Sequence, residues 1–580
     1  MRPISESKLP SSKLMALLRR PLFWIMVVGL LAMGGALRAD FYMDDYAFIV
    51  NSKGDAPTQF RWSLMGQHYG STALDAVDTS VFQLIPTCLT LLTNWLFPLN
   101  SSAAHGWNLL IHLTLSVLVF RLGERFLRRL TLLGSAAARR HAALAGALIF
   151  ACHPLATEPV HYAKCHMVGL VALFGFWATC EAAEFLAAPT RRRGLRCLLA
   201  VLLCILSYFP GTVMLGFNLG ALVLFTLTGK GRQHFTRHLP AAAAWRRPPA
   251  VAALSLAAAG VLYVGYYFLG RFYQTVTYWD GLFPVHVATQ GRVFWEYVQR
   301  ILVPVGLVSD HYQPWSTFRD PAAVVKLALF GLLLLGTALL AFRKGSAARR
   351  GLSLMLLLAL IPFAMRLLYV NIEIMVEYRA YNALPWICLL AGCGFAALTA
   401  RLPYPRLRWA PAAALIAVFT ILSAQRSAVW RSGAALAENV LAHYPLNSRA
   451  RTQLQSFDID AGNYAAVLRR HDEVLATRDR INVLNAATRG KVLIDPIRAD
   501  SNVIGSYQFA VYARAELEGC LKALVFADDS IASLKTMLPG SFLAKPGETV
   551  TPAWPLLEAR STVARAQAAG YTGAGVPAAP

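Results

Sequence analysis

The sequence predicts an all-α polytopic membrane protein: about eleven spanning helices in one bundle, followed by a small helical C-terminal domain. Three observations lead there. Of 580 residues, 56% are hydrophobic, and the mean hydropathy is +0.46, richer in apolar residues than soluble domains are. The apolar residues come in runs near the ~20 that a spanning helix needs. The 55 Lys and Arg outnumber the 31 Asp and Glu, for a formal charge of +24, and fall in short clusters between those runs. Such clusters set membrane orientation. No nucleic-acid motif accompanies them, so the charge does not argue for nucleic acid.

Taken in order, residues 1–21 form a basic, Ser-containing cytoplasmic flank. The run 22–38 resembles a signal segment. Cleavage near Ala36 would separate the acids that follow from their helix, so it reads as an uncleaved anchor. Further spans are expected at 105–127, 141–157, 162–187, 195–209, 211–229, 249–270, 322–342, 351–370, 383–400 and 409–427. The run 81–97 is short and contains Pro86. If it does not span, the basic clusters at Arg19/Arg20, Arg121 to Arg140, Arg191 to Arg196, Lys230 to Arg247, Arg343 to Arg350 and Arg401 to Arg408 all face the cytoplasm. If it spans, the last five face outward. It is therefore read as a helix lying on the outer surface. The outer side then holds 39–104 as a first periplasmic loop, the turn at Pro210 and Gly211, 271–321 as a second large loop, 371–382, and everything after about 428.

The remainder divides into a helical domain, 428–540, and a Pro/Ala/Gly-rich tail, 541–580. Segment 447–478 fits two amphipathic helices with a turn at Ala461-Gly462-Asn463, resembling one tetratricopeptide-type hairpin without a clear second copy. Another helix is expected over 509–535. Of nine cysteines, seven lie in or at the ends of apolar runs. Cys88 sits in the first outer loop and Cys520 is alone near the end. With no CxxC pair there is no disulfide framework, and the cysteines read as small buried hydrophobes.

The ionisable residues of the outer side carry the chemistry. Asp44 and Asp45 follow the first span inside FYMDDYAFI. Carboxylates are costly at such a place and usually functional, although a solvated loop pair is the plain alternative. HPLATEP supplies His153 and Glu158, followed by His161, Lys164 and His166. PVGLVSDHYQPW supplies Asp310 and His311, and VEYRAYNALP supplies Glu377, Arg379 and Tyr381. His105, Asn108 and His112 share one helix face. Each set also has an ordinary structural reading: interhelical hydrogen bonds for His105/Asn108/His112, a helix end at His153-Pro154, a loop pair at Asp310-His311, an interfacial salt bridge at Glu377 and Arg379. A zinc site from His153, His161 and His166 lacks the HExxH spacing. Together the outer sets suit one chemistry. A carboxylate takes a proton from an acceptor hydroxyl, Arg and Lys hold a phosphate leaving group, aromatics stack on a sugar, and the spans offer a groove for a lipid tail.

At this point the sequence resembles the GT-C glycosyltransferases, polytopic enzymes that use polyprenyl-phosphate sugars. The nearest branch is the transmembrane and tetratricopeptide-repeat O-mannosyltransferases and their bacterial relatives. The resemblance covers about 40–475 and rests on Asp44/Asp45, His105/Asn108/His112, His153-Pro154/Thr157/Glu158, Pro304/Leu307/Asp310/His311 and Glu377/Arg379/Tyr381. The chain departs from the family's Gly-Arg-x-Asp near Cys165 and His166, and from its Lys-Glu at Tyr208-Phe209-Pro210, which leaves the donor sugar open.

The resemblance implies a GT-C-type, inverting transferase of the bacterial inner membrane, with its site and C-terminal domain in the periplasm. The donor would be a sugar on a polyprenyl phosphate. The acceptor would be a periplasmic protein, for example a pilin, or else an envelope glycan or lipid. Asp44 would be the general base and Asp45 would orient the acceptor or hold the base. Arg379 would be the leading phosphate ligand, with Lys164, His153 and His311 as candidates and Glu377, Tyr381, Glu158 and Asp310 beside them. His105, Asn108 and His112 would line the groove. No cofactor is required; a carboxylate pair can bind a divalent metal, but none is indicated. A transporter or flippase of lipid-linked sugars would need paired repeats and broken helices near the midplane, and the chain has no internal repeat. A mere anchor for an interaction module would not need eleven spans.

Reporter fusions check the topology. Fusions at Gly134 and Lys230 are expected to report cytoplasm, and fusions at Pro57 and Ser541 periplasm. A cytoplasmic C-terminus would refute the eleven-span count.

Overall fold

The computed structural model describes residues 20–42, 45, 83–228, 282–311, 316–368, 374–400 and 408–444, and single positions 450, 453, 454 and 457. Asp44, the expected span at 249–270, the expected helix at 509–535, nearly all of the tetratricopeptide-type hairpin and the tail lie outside the described residues. Every regular element among those described is helical.

The helices are α1 (Pro21–Met33), α2 (Leu84–Leu96), α3 (Ser101–Arg129), α4 (Ala136–Cys152), α5 (Thr157–His161), α6 (His166–Ala187), α7 (Arg191–Ile205), α8 (Phe209–Thr228), α9 (Leu282–Leu302), α10 (Pro321–Phe342), α11 (Ala347–Ala364), α12 (Leu384–Thr399), α13 (Ala410–Val429) and α14 (Gly433–His443). Short 3₁₀ turns at Gly34–Arg38, Pro154–Ala156, Ala163–Cys165, Met365–Leu367 and Glu377–Ala380 fill several of the connections. Their starts follow local chemistry. Asn100, Ser135, Thr190, Asp320 and Ser346 each accept a backbone N–H from the first turn of the helix that follows, satisfying a donor that the helix cannot.

Among the described residues, six helical segments are long and apolar enough to cross a membrane: Pro21–Arg38, Ser101–Arg129, Ala163–Ala187, Pro321–Phe342, Ala347–Leu367 and Ala410–Val429. A seventh is reached if Ala136–Cys152 and Pro154–His161, bent by 52°, count as one span. The expected span 141–157 thus breaks at His153, because Pro154 has no N–H to continue the helix and its ring clashes with the preceding turn. α2 and α12 are shorter apolar helices. With 13 residues, α2 is about 20 Å long, short of the ~30 Å hydrocarbon core.

The core is built on α4. From Ala142 to Cys152 nearly every residue is buried, and the run Ala-Ala-Leu-Ala-Gly-Ala presents small side chains that let neighbours approach closely, the packing rule of membrane helices. The tightest approach is to α12. A Cβ on Gly392 would collide with the Ala142 carbonyl, and one on Gly146 would stand 2.7 Å from the Cys388 carbonyl. At the other extreme α10 exposes Val325, Leu329, Leu332, Leu335 and Leu339, with Leu332 64% exposed. Such a face is costly in water and suits lipid.

The chain divides into two compact units. One comprises Met1–Leu307, Ser316–Asn371 and Val376–Ser432, and the other Val308–Trp315, Ile372–Met375 and Gly433–Pro580. In the second unit, Val308, Ala437, Val440, Ala450 and Leu454 form a small core around α14.

Gly392→Leu should force α4 and α12 apart and lower stability by about 1–3 kcal/mol or more. Gly394→Leu, where an added Cβ meets nothing within 4 Å, should leave it unchanged. Thermal unfolding of the purified protein in detergent measures both.

Candidate functional site

One end of the bundle collects the first-unit members of the ionisable sets named from the sequence. The start of α3, the break after α4, the start of α6, the turn before α12 and the end of α13 meet there, as the following cross-links record.

Asp45 is fully buried. Its Oδ2 accepts the N–H of Tyr42 at 3.0 Å and of Ala163 at 3.3 Å, and its Oδ1 accepts the N–H of Lys164 at 2.7 Å. Three backbone donors on one carboxylate make a clamp between the segment after α1 and the turn before α6. The Lys164 side chain is half-buried. Around this clamp Tyr42, Tyr162 and Trp430 pack edge-on or tilted, with centroids 5.8–6.3 Å apart. Trp430 also receives the Asp40 N–H on its carbonyl at 3.2 Å.

The His105/Asn108/His112 face is buried. Asn108 donates to the Tyr162 carbonyl at 2.7 Å. His112 Nε2 lies 3.1 Å from the Ala151 carbonyl and Nδ1 lies 2.8 Å from the Tyr381 hydroxyl. A carbonyl only accepts, so Nε2 carries the proton and Tyr381 donates to Nδ1. His105 Nε2 faces the Asp40 carbonyl at 3.3 Å. His153 works as a cap: its Nδ1 accepts the Leu155 N–H at 3.2 Å and its Nε2 faces the Ile301 carbonyl at 3.1 Å. His161 Nδ1 faces the Thr157 carbonyl at 2.8 Å. Four buried atoms here, His105 Nδ1, Asn108 Oδ1, His161 Nε2 and Trp430 Nε1, have no hydrogen-bond partner among the described residues. Each such atom costs about 1–3 kcal/mol, and native proteins keep few of them without a use.

HPLATEP and VEYRAY interlock. Glu158 Oε2 accepts the Tyr378 N–H at 2.7 Å. Glu377 pairs with Arg426 at 2.6 Å, and Arg426 Nε donates to the Thr157 hydroxyl at 2.6 Å. Glu377 and Arg426 side chains are 0% and 8% exposed. Sequence reasoning passed over Arg426; the signal was an arginine near the outer end of the expected span 409–427, where a charge needs a partner. It also passed over the Tyr42/Tyr162/Trp430 group, which has no local signature.

Arg379 is buried and lies beside the Tyr378 ring, 5.9 Å from its centroid. Together with Arg366 it acts on α9. Burial, opposed by the hydrogen bond from Nε2 to the Arg366 carbonyl at 2.7 Å and reinforced by the two guanidinium groups, lowers His286 to about 4, so the ring is neutral at pH 7. Burial raises the Tyr297 hydroxyl, against the pull of Arg379 and Arg366; that hydroxyl donates to the Val376 carbonyl at 2.7 Å.

A small open pocket lies between α2, α3 and the start of α6, lined by Leu89, Thr90, Thr93, Asn94, Ala104, Trp107, Ala163 and His166. Asp310 and His311 belong to the second unit. Both are buried there, with His311 Nδ1 3.2 Å from the Tyr444 hydroxyl. Among the described residues no group of three or more His, Cys, Asp or Glu side chains is arranged to hold a metal ion.

Neither the protein-family models nor the curated proteins provide a match to this chain.

The Glu377–Arg426 pair is open to a double-mutant cycle. Arg426→Leu and Glu377→Leu each leave a charge buried and should cost about 3–5 kcal/mol, while the double variant should cost less than the worse single one. Unfolding midpoints in detergent read the coupling, and strict additivity would show that the pair does not act as a unit.

Proposed function

We propose that the protein is an inverting, polyprenyl-phosphate-sugar-dependent glycosyltransferase of the GT-C type. It acts on a hydroxyl of a periplasmic acceptor, most simply a protein such as a pilin. On this reading eleven spans cross the bacterial inner membrane, the candidate site faces the periplasm, and the C-terminal tetratricopeptide-like domain engages the acceptor. The observation that carries the reading is the company at one end of the bundle: buried carboxylates Asp45, Glu158 and Glu377, buried Arg379, a tight aromatic group, and buried polar atoms without hydrogen-bond partners among the described residues. Transfer of a sugar from a lipid phosphate asks for a base, cations for the departing phosphate and aromatic surface for the sugar.

Asp44 accepts the proton of the acceptor hydroxyl as that oxygen forms its bond to the anomeric carbon. The bond from the anomeric carbon to the phosphate oxygen breaks, and the lipid phosphate leaves with the electron pair. Arg379 holds that phosphate, a task its fork suits. Since the leaving group is already an anion, no protein acid is needed. Asp45 acts differently from its neighbour: its oxygens already accept three backbone N–H groups, so it holds the loop that carries the base. Transfer to an envelope glycan or lipid uses the same chemistry and differs only in the acceptor.

Two variants separate the acids. Asp44→Asn should fold and bind donor yet lose about 10²–10⁴ in turnover. Asp45→Asn turns an amide N–H₂ or a weaker acceptor toward backbone donors, so it should lower the unfolding midpoint together with the rate. Near-normal turnover of Asp44→Asn, assayed with purified donor and acceptor, would end the assignment.

A further inference from the structure

The end of the bundle opposite the candidate site carries a second charged constellation. α6 ends with Glu181 and Glu184, whose side chains are 3% and 8% exposed. Five arginines from α3 and α7 surround them. Arg125 and Arg196 stand 3.8 and 3.6 Å from Glu181, and Arg128, Arg129 and Arg193 stand 3.7, 2.5 and 3.6 Å from Glu184. Only Arg129 grips its carboxylate with two hydrogen bonds, at 2.8 and 2.5 Å. Arg125, Arg128 and Arg196 remain 39%, 57% and 39% exposed, and none makes a hydrogen bond to a carboxylate among the described residues. Five cations on two anions leave an excess of three, held in place by buried acids and presenting unused N–H donors to the outside.

The apolar surface beside them is as specific. Along α7, Leu195, Leu198, Leu199 and Leu202 are exposed and lie at i, i+3, i+4 and i+7, one stripe of the helix. The stripe begins within the basic segment Arg191–Arg196, at Leu195, and runs about 10 Å along the axis. A soluble phosphate would occupy the arginines and leave the leucines bare. A molecule with an anionic head and hydrocarbon tails would cover both.

We propose that this constellation binds an anionic phospholipid. The headgroup phosphate sits on the forks of Arg125, Arg128 and Arg196, whose planar donors match its oxygens, and the acyl chains lie along the leucine stripe. Basic pockets between spanning helices hold anionic headgroups by the same physics. The inference is independent of the glycosyl-transfer reading. On α3 the 13-residue step from His112 to Arg125 places the two ends about 20 Å apart.

The test is native mass spectrometry of the full chain in detergent, titrated with phosphatidylglycerol and with phosphatidylcholine of the same acyl chains. The wild type should retain the first in preference to the second. Arg125→Gln/Arg128→Gln/Arg196→Gln should weaken phosphatidylglycerol retention at least tenfold. Arg343→Gln/Lys344→Gln/Arg349→Gln, which removes as much charge from exposed positions, should change it less than twofold. Leu198→Gln/Leu202→Gln keeps every arginine and should also weaken retention, which covers the case of a misfolded charge variant. Equal retention of the two lipids, a matching loss in the control, or unchanged retention in the folded arginine variant would overturn the proposal. Displacement of the lipid by millimolar inorganic phosphate would also overturn it, by marking a simple anion site.

Discussion

Glu377 and Arg426 are 49 residues apart in sequence and meet at 2.6 Å in surroundings that admit almost no water. Neither charge is tolerable there alone, so each fixes the other. The same guanidinium binds the Thr157 hydroxyl, which in turn donates to the Pro154 carbonyl at 2.7 Å. One residue further along each strand of this cross-link, Glu158 takes the Tyr378 N–H. Thr157-Glu158 and Glu377-Tyr378 are thereby locked side by side, with α13 as the third party. Arg379 and Tyr381 follow directly from this lock, and Tyr381 reaches His112. The positions of Glu158, Glu377, Arg379 and Tyr381 rest on that ion pair, while Lys164 is held by the Asp45 clamp.

The lock can form only because the helices beneath it come close. α4 is lined with alanine and glycine, and α12 meets it at Gly392 and Gly146. Larger side chains at these positions would widen the bundle and pull the turn before α12 away from the break after α4. Pro154 contributes by ending α4, which frees backbone groups that His153 and Thr157 then satisfy. Small residues in one helix and a break at its end together create the space where polar groups converge.

The two ends of the bundle use arginine in different ways. At the site end, buried Arg426 pairs with an acid and a hydroxyl from distant segments. At the opposite end arginines are numerous. Some are structural: Arg350 donates to the Ala341 and Phe225 carbonyls and to the Thr228 hydroxyl, and stacks over Phe225, tying α8, α10 and α11. Others surround Glu181 and Glu184 and stay open. For a basic residue between apolar runs, its partner decides whether it staples helices, as Arg350 does, or stays open, as Arg128 does.

Much of the helix pattern was legible along the chain. The expected runs 105–127, 322–342 and 409–427 correspond to Ser101–Arg129, Pro321–Phe342 and Ala410–Val429, because apolarity and helix caps are properties of neighbouring residues. The outer ionisable sets were legible too, since a charge beside an apolar run stands out wherever it is. The residue types at the site, and the helices that carry them, were thus determined by the sequence itself. What each does was settled only by the tertiary structure. Asp45 is a clamp on three backbone donors, His153 is a cap, Arg426 is the partner of Glu377, and Asp310 and His311 group with the second unit. Beside the local contacts of Asp45 with Tyr42 and of His153 with Leu155, those roles depend on contacts with groups 49 to 269 residues away, and a charge in a low-dielectric place has no role until the fold supplies its counterpart.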